Sequence, residues 1–216
     1  LGGDGNDILN VNVKGGSTVT GISNAQVNLG NGDNKLNITG QGGSGSYINA
    51  MDTASLLMGS GNDAVALTLN GTGNGVYSSS VSLGEGNNQL TIKDAATGIS
   101  GSSVTSGSGN DIINIESLGS ASAKYGMSGG GSVNTGAGDD SLKVTLAGGS
   151  SSLGLYGGNV NMGSGNDSVT INLSASSEAG GLNNSAIISM GDGDDTVFIT
   201  AKAQGSGWLA YGMHNS

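Results

Sequence analysis

Gly163-Ser164-Gly165-Asn166-Asp167-Ser168-Val169-Thr170-Ile171-Asn172-Leu173 is the stretch that decides the fold. Two glycines frame a short acidic turn, and apolar residues then alternate with polar ones at period two, the pattern of a strand with one buried face. The block G-x-G-[ND]-[ND] occurs eight times, ending at positions 7, 34, 63, 88, 111, 140, 167 and 195. Intervals of 27, 29, 25, 23, 29, 27 and 28 residues mark a repeat architecture.

Working outward, every block is followed by apolar alternation: Leu9-Val11-Val13, Val65-Leu67-Leu69, Leu142-Val144-Leu146 and Val169-Ile171-Leu173, with shorter versions after the other four. Ahead of the blocks, Val27-x-Leu29, Val81-x-Leu83, Val160-x-Met162 and Ile188-x-Met190 place apolar side chains three and one positions before the first glycine. A weaker signature recurs further upstream, including Gly21-Ile22, Gly75-Val76, Gly98-Ile99, Gly126-Met127, Gly154-Leu155 and Gly181-Leu182. A unit of this length cannot bury its apolar face alone, but stacked units can. The pattern predicts an all-β parallel β-solenoid of about eight coils, one module over residues 1–216, with a narrow two-layer interior and equivalent residues in ladders.

Composition excludes several classes. The 216 residues contain no cysteine, so disulfide scaffolds and zinc-thiolate sites fall away. Six Lys+Arg face sixteen Asp+Glu, a net charge of -10, opposite in sign to a nucleic-acid footprint. No apolar run reaches the roughly 18 residues of a membrane helix, and 44 glycines disfavour long helices. The chain opens at Leu1 without a start methionine or signal-like segment. It is therefore expected to be excised from a longer polypeptide.

Stacking lines the turns up in one row, and twelve of the sixteen carboxylates lie in them. Like charges about 5 Å apart repel by roughly 1 kcal/mol per pair in water. A hard divalent cation between neighbouring turns reverses that sign. Calcium suits the row because it takes six to eight oxygens and mixes carboxylates with backbone carbonyls. The alternative from the residues alone is a metal-free Asn/Asp hydrogen-bonded ladder.

The turns resemble the repeat-in-toxin (hemolysin-type) calcium-binding motif G-G-x-G-x-D-x-U-x, where U is bulky and apolar. Leu1-Gly2-Gly3-Asp4-Gly5-Asn6-Asp7-Ile8-Leu9 carries the match, and Met190-Gly191-Asp192-Gly193-Asp194-Asp195-Thr196-Val197 lacks only the first glycine. In that family nine-residue units follow one another directly, whereas here one motif appears per coil, implying a single ion row. The resemblance implies Asp7, Asp63, Asp111, Asp140, Asp167 and Asp195 as side-chain ligands, with Asn34 and Asn88 in the same place in two turns. Turn carbonyls would complete each shell, framed by Gly3 and Gly5, Gly30 and Gly32, Gly59 and Gly61, Gly84 and Gly86, Gly107 and Gly109, Gly136 and Gly138, Gly163 and Gly165, and Gly191 and Gly193.

Catalysis is not expected: the single histidine is His214, arginine is absent, and no phosphate-cradling or nucleophile-elbow motif is present. The five tyrosines read as edge stacking, and the outward Thr/Asn positions (Asn10, Asn37, Thr91, Asn114, Thr170) as a solvated face. The expected function is structural: an extracellular, calcium-rigidified rod of a bacterial surface or secreted protein such as an adhesin, matrix filament or appendage. End-to-end self-association or flanking repeats are the expected partners of its ends. The competing expectation is a glycan- or ice-binding module on the same scaffold, towards which Trp208 is the one pointer.

Overall fold

The computed structural model describes residues 2–43, 45–119, 121–204 and 209–214; Leu1, Trp208, Asn215 and Ser216 lie outside the described residues. The chain winds as a parallel β-solenoid of about seven full turns. Each turn contributes one strand to each of three long sheets. The first holds the alternating segments that follow the acidic blocks, from Ile8–Gly15 and Lys35–Gly42 to Ser168–Ala175 and Thr196–Ala203. The second runs from Thr18–Ser23 to Leu209–Met213, and the third from Gln26–Asn28 to Ile187–Ser189.

Register is strict. Leu36, Val65, Leu90, Ile113, Leu142 and Val169 pair in one column, and each is buried. Val27, Leu56, Val81, Val104, Val133 and Val160 form the matching column of the third sheet. Each buried aliphatic side chain of these columns contributes roughly 1.5–3 kcal/mol over its exposed state.

Three sheets replace the expected two-layer interior. The recurring Gly-apolar signature, unassigned from periodicity, is the middle of the second sheet. Its glycine is there for close approach: a Cβ on Gly98 would lie 2.5 Å from the Ile115 side chain of the first sheet, and one on Gly154 2.7 Å from Ile171. The chain then bends into the third sheet through a left-handed corner, a single residue at Asn24 (φ 49°), Thr53 (52°), Ser78 (44°), Gly101 (55°) and Gly157 (69°), and two residues at Gly129-Gly130 (59° and 75°) and Asn184-Ser185 (55° and 59°). That corner is what turns a predicted pair of strands into three.

Candidate metal centre in the acidic turns

The third sheet delivers the chain to the G-x-G-[ND]-[ND] turn, and the first sheet carries it away. Both turn glycines adopt positive φ in most coils, for example 100° and 136° at Gly136 and Gly138. A Cβ on Gly138 would sit 2.2 Å from the Gly109 carbonyl oxygen of the preceding coil, so stacking and backbone conformation both require glycine. The eight turns therefore do stack in one row, as the short bridges Gly3↔Gly30, Ser60↔Glu85, Ser108↔Ala137, Ala137↔Ser164 and Ser164↔Asp192 record.

Two ladders of opposite polarity run along this row. At the last turn position the backbone N–H donates forward to the side chain one coil on. Asp7 N–H donates to Asn34 Oδ1 (2.9 Å), Asn34 to Asp63 (2.7 Å), Asp63 to Asn88 (2.9 Å) and Asn88 to Asp111 (2.8 Å). Asp111 then donates to Asp140 (2.7 Å), Asp140 to Asp167 (2.8 Å) and Asp167 to Asp195 (2.9 Å). At the preceding position the N–H donates backward: Asn62 to Asp33 Oδ1 (2.8 Å), Asn110 to Asn87 (2.7 Å), Asn166 to Asp139 (2.8 Å) and Asp194 to Asn166 (3.0 Å). The side chains of the backward ladder are exposed; those of the forward ladder point inward.

The ladder expected as the metal-free alternative is thus present, yet it occupies only one oxygen of each inner carboxylate. Asp111 is fully buried, and Asp63, Asp140 and Asp167 are each 2% exposed. Their Oδ2 atoms are buried with no hydrogen-bond partner. Asn34 shows what surrounds that atom. Its Nδ2 donates to the carbonyls of Gly30 (3.0 Å), Gly32 (2.9 Å) and, in the next coil, Met58 (3.0 Å). Asn88 repeats this towards Gly84 (3.1 Å) and Gly86 (3.0 Å). Asp and Asn share size and shape, and the Oδ1 ladder bond fixes both in the same orientation. In the aspartate turns an oxygen therefore faces oxygens, with no hydrogen between them.

Burial accordingly pushes the Asp63, Asp111, Asp140 and Asp167 carboxyls above their ordinary value, with the ladder hydrogen bonds opposing it. Two hydroxyls, those of Ser106 and Thr135, join the row ahead of the first turn glycine. Ser106 Oγ donates to the Thr135 carbonyl (3.0 Å) and Thr135 Oγ1 to the Met162 carbonyl (2.6 Å).

The donor set fits a hard cation. An acceptor-only cage of one carboxylate oxygen and backbone carbonyls is balanced by a positive ion or by a proton. Among the described residues no three acidic, histidine or cysteine side chains converge, so carbonyls would supply most of the shell. Asp7 and Asp195 occupy the two ends of the row and are half-buried. Asn34 and Asn88 do not fit: the amide orientation set by the ladder turns a donor, not an acceptor, into the cage. Glu85, by contrast, is spent on Ser108, whose N–H and hydroxyl it accepts, and this holds it below the usual range.

The other singled-out residues sit elsewhere. Tyr125 and Tyr156 meet edge to face at 5.7 Å on the outer side of the second sheet. Tyr211 donates to Glu178 Oε1 (2.7 Å) and accepts from Asn183 Nδ2 (2.8 Å), which leaves its phenol fully engaged. His214 is exposed and packs its ring 5.1 Å from Tyr211. The Thr/Asn face is crossed by the Lys93–Glu116 ion pair at 4.0 Å. A scan against protein-family models and searches of curated proteins and of solved structures found no match to this chain.

Proposed function

We propose that this chain is a structural rod whose acidic row binds calcium, an extracellular module of a bacterial surface or secreted protein such as an adhesin, matrix filament or appendage. One observation carries the reading: the four partnerless, buried Oδ2 atoms of Asp63, Asp111, Asp140 and Asp167. In water-free surroundings such atoms destabilise a fold by about 1–3 kcal/mol each unless they find a positive partner. Calcium supplies that charge to the carboxylate and the carbonyls at once. Extracellular calcium near ~10⁻³ M saturates even weak sites of this kind, so the rod stiffens outside the cell. The absence of cysteine makes it indifferent to redox state.

A structural role accords with the rest of the surface. The Tyr211 phenol is paired with Glu178 and Asn183 rather than held ready for a sugar, and the flat Thr/Asn face is broken by charge. Along the row, a Cβ on Gly30, Gly59, Gly84, Gly136, Gly163 or Gly191 would strike the glycine carbonyl of the preceding coil at 1.5–2.2 Å, so the coils stack backbone on backbone.

Isothermal calorimetry with far-UV circular dichroism during a calcium titration tests the function. The expected result is saturable binding coupled to a rise in melting temperature. A chain that binds no calcium at millimolar concentration, and melts identically in chelator, overturns it.

A further inference from the structure

Six of the inner turn positions are aspartate and two are asparagine, and the two classes satisfy the same cage in opposite ways. The Asn34 Nδ2 lies 2.9–3.0 Å from three backbone carbonyls drawn from two successive coils. Its Oδ1 accepts the Asp7 N–H, so a flipped amide would set donor against donor and is disallowed. Asn88 is held in the same sense by the Asp63 N–H on one side and by Gly84 and Gly86 on the other. Both side chains are buried, 0% and 2% exposed. Each amide places hydrogens where the aspartate turns leave an oxygen bare.

We propose that Asn34 and Asn88 are internal substitutes for the cation, locks that close their turns without an ion. The part of this concerning ion dependence rests on the reading of the aspartate turns as calcium sites. The lock itself rests only on the amide geometry.

The placement of the locks divides the rod. Asp63 stands alone between two locked turns, whereas Asp111, Asp140, Asp167 and Asp195 follow one another without interruption. Coils of a solenoid are stabilised chiefly by their neighbours, so order spreads from coils that are stable by themselves. The first half of the rod, around Asn34 and Asn88, therefore holds its register in calcium-poor surroundings. The second half, from Ile112 onward, is the calcium-responsive segment. The locked half is the template on which the acidic coils close when calcium arrives, and winding proceeds from the N-terminal side.

The substitutions that test this invert the usual expectation for a metal ligand. Asp63→Asn or Asp167→Asn, in turns without a cage hydroxyl, should lose one bound calcium ion and yet melt higher than the parent chain in chelator at pH 7, because the new amide donates to the waiting carbonyls. Asn34→Asp should gain one ion and melt lower in chelator. Hydrogen exchange of the unaltered chain in chelator should show protected amides through strands Lys35–Gly42 and Gln89–Lys93, and rapid exchange in Ser141–Ala147 and Ser168–Ala175.

Aspartate-to-asparagine variants that melt at or below the parent in chelator overturn the lock, as does exchange that is uniform along the rod. If calorimetry instead finds no calcium bound to the parent, the calcium reading fails, and the chelator melts still decide whether the amides lock.

Discussion

The backbone N–H of Asp111 donates to Oδ1 of Asp140, 29 residues later and 2.7 Å away, and both side chains are buried. One carboxylate oxygen thereby fixes the spacing of two coils, and the other is left facing the cage. The bond is local in space and remote in sequence, and it repeats at every coil junction of the row.

Removing one such rung exposes both roles. Asp140→Ala leaves the buried Asp111 N–H without an acceptor, which should lower stability by about 1–3 kcal/mol in chelator. With calcium present the loss should be larger, because an ion leaves too. Paired chemical denaturation with and without calcium reads the two parts; an equal loss in both conditions argues against an ion at this turn.

Acid should act in opposite directions on the two states. Burial raises the Asp63, Asp111, Asp140 and Asp167 carboxyls above 3.8 in the folded, metal-free chain. A raised folded pKa means that the folded state binds protons more tightly than the unfolded state. The stability so gained is fully present below the unfolded pKa and is lost as pH rises through the folded one. In chelator the rod should therefore melt higher at pH 4 than at pH 7. In saturating calcium the order should reverse, since protons displace the ion. Melting curves at the two pH values, each with and without calcium, check the crossing.

The stacked turn glycines at positive φ should tolerate nothing else. Gly138→Ala places a Cβ 2.2 Å from the Gly109 carbonyl oxygen at φ 136°, where the two nearest atoms belong to backbone. A loss of about 3 kcal/mol or more, or failure to fold, is expected. A soluble variant melting within a degree of the parent contradicts the stacked geometry.

Lys124 is the one buried cation among the described residues. Fully buried, it donates to the Ala147 carbonyl, and burial pushes its amine below the usual 10.5. A lowered lysine pKa means stability that is present above the unfolded pKa and lost as pH falls through the folded one. Lys124→Met keeps the volume without the charge, and should stabilise the rod at pH 7 by about 1 kcal/mol. The gain should shrink as pH approaches 10.5.

Much of this architecture was legible in the repeat. The eight acidic blocks, the alternation after Asp63 or Asp167 and the aliphatic residues ahead of the glycines place two of the three sheets and the row of turns. The second sheet was not legible. Its Gly-Ile and Gly-Leu signatures are short, and the reason for the glycine, contact with Ile115 or Ile171 across the interior, appears only when the sheets face each other. The left-handed corner at Thr53 and Ser78 gives no warning either, because neither residue type advertises positive φ.

The sequence by itself determined the parallel winding, the period and the alignment of the carboxylates, because a fixed spacing of turn and strand admits one way to bury the apolar face. Only the tertiary structure decided which oxygen each carboxylate spends on the neighbouring coil and which it leaves bare. Those partners lie a full coil apart along the chain, so no local pattern distinguishes the aspartate that needs a cation from the asparagine that replaces one.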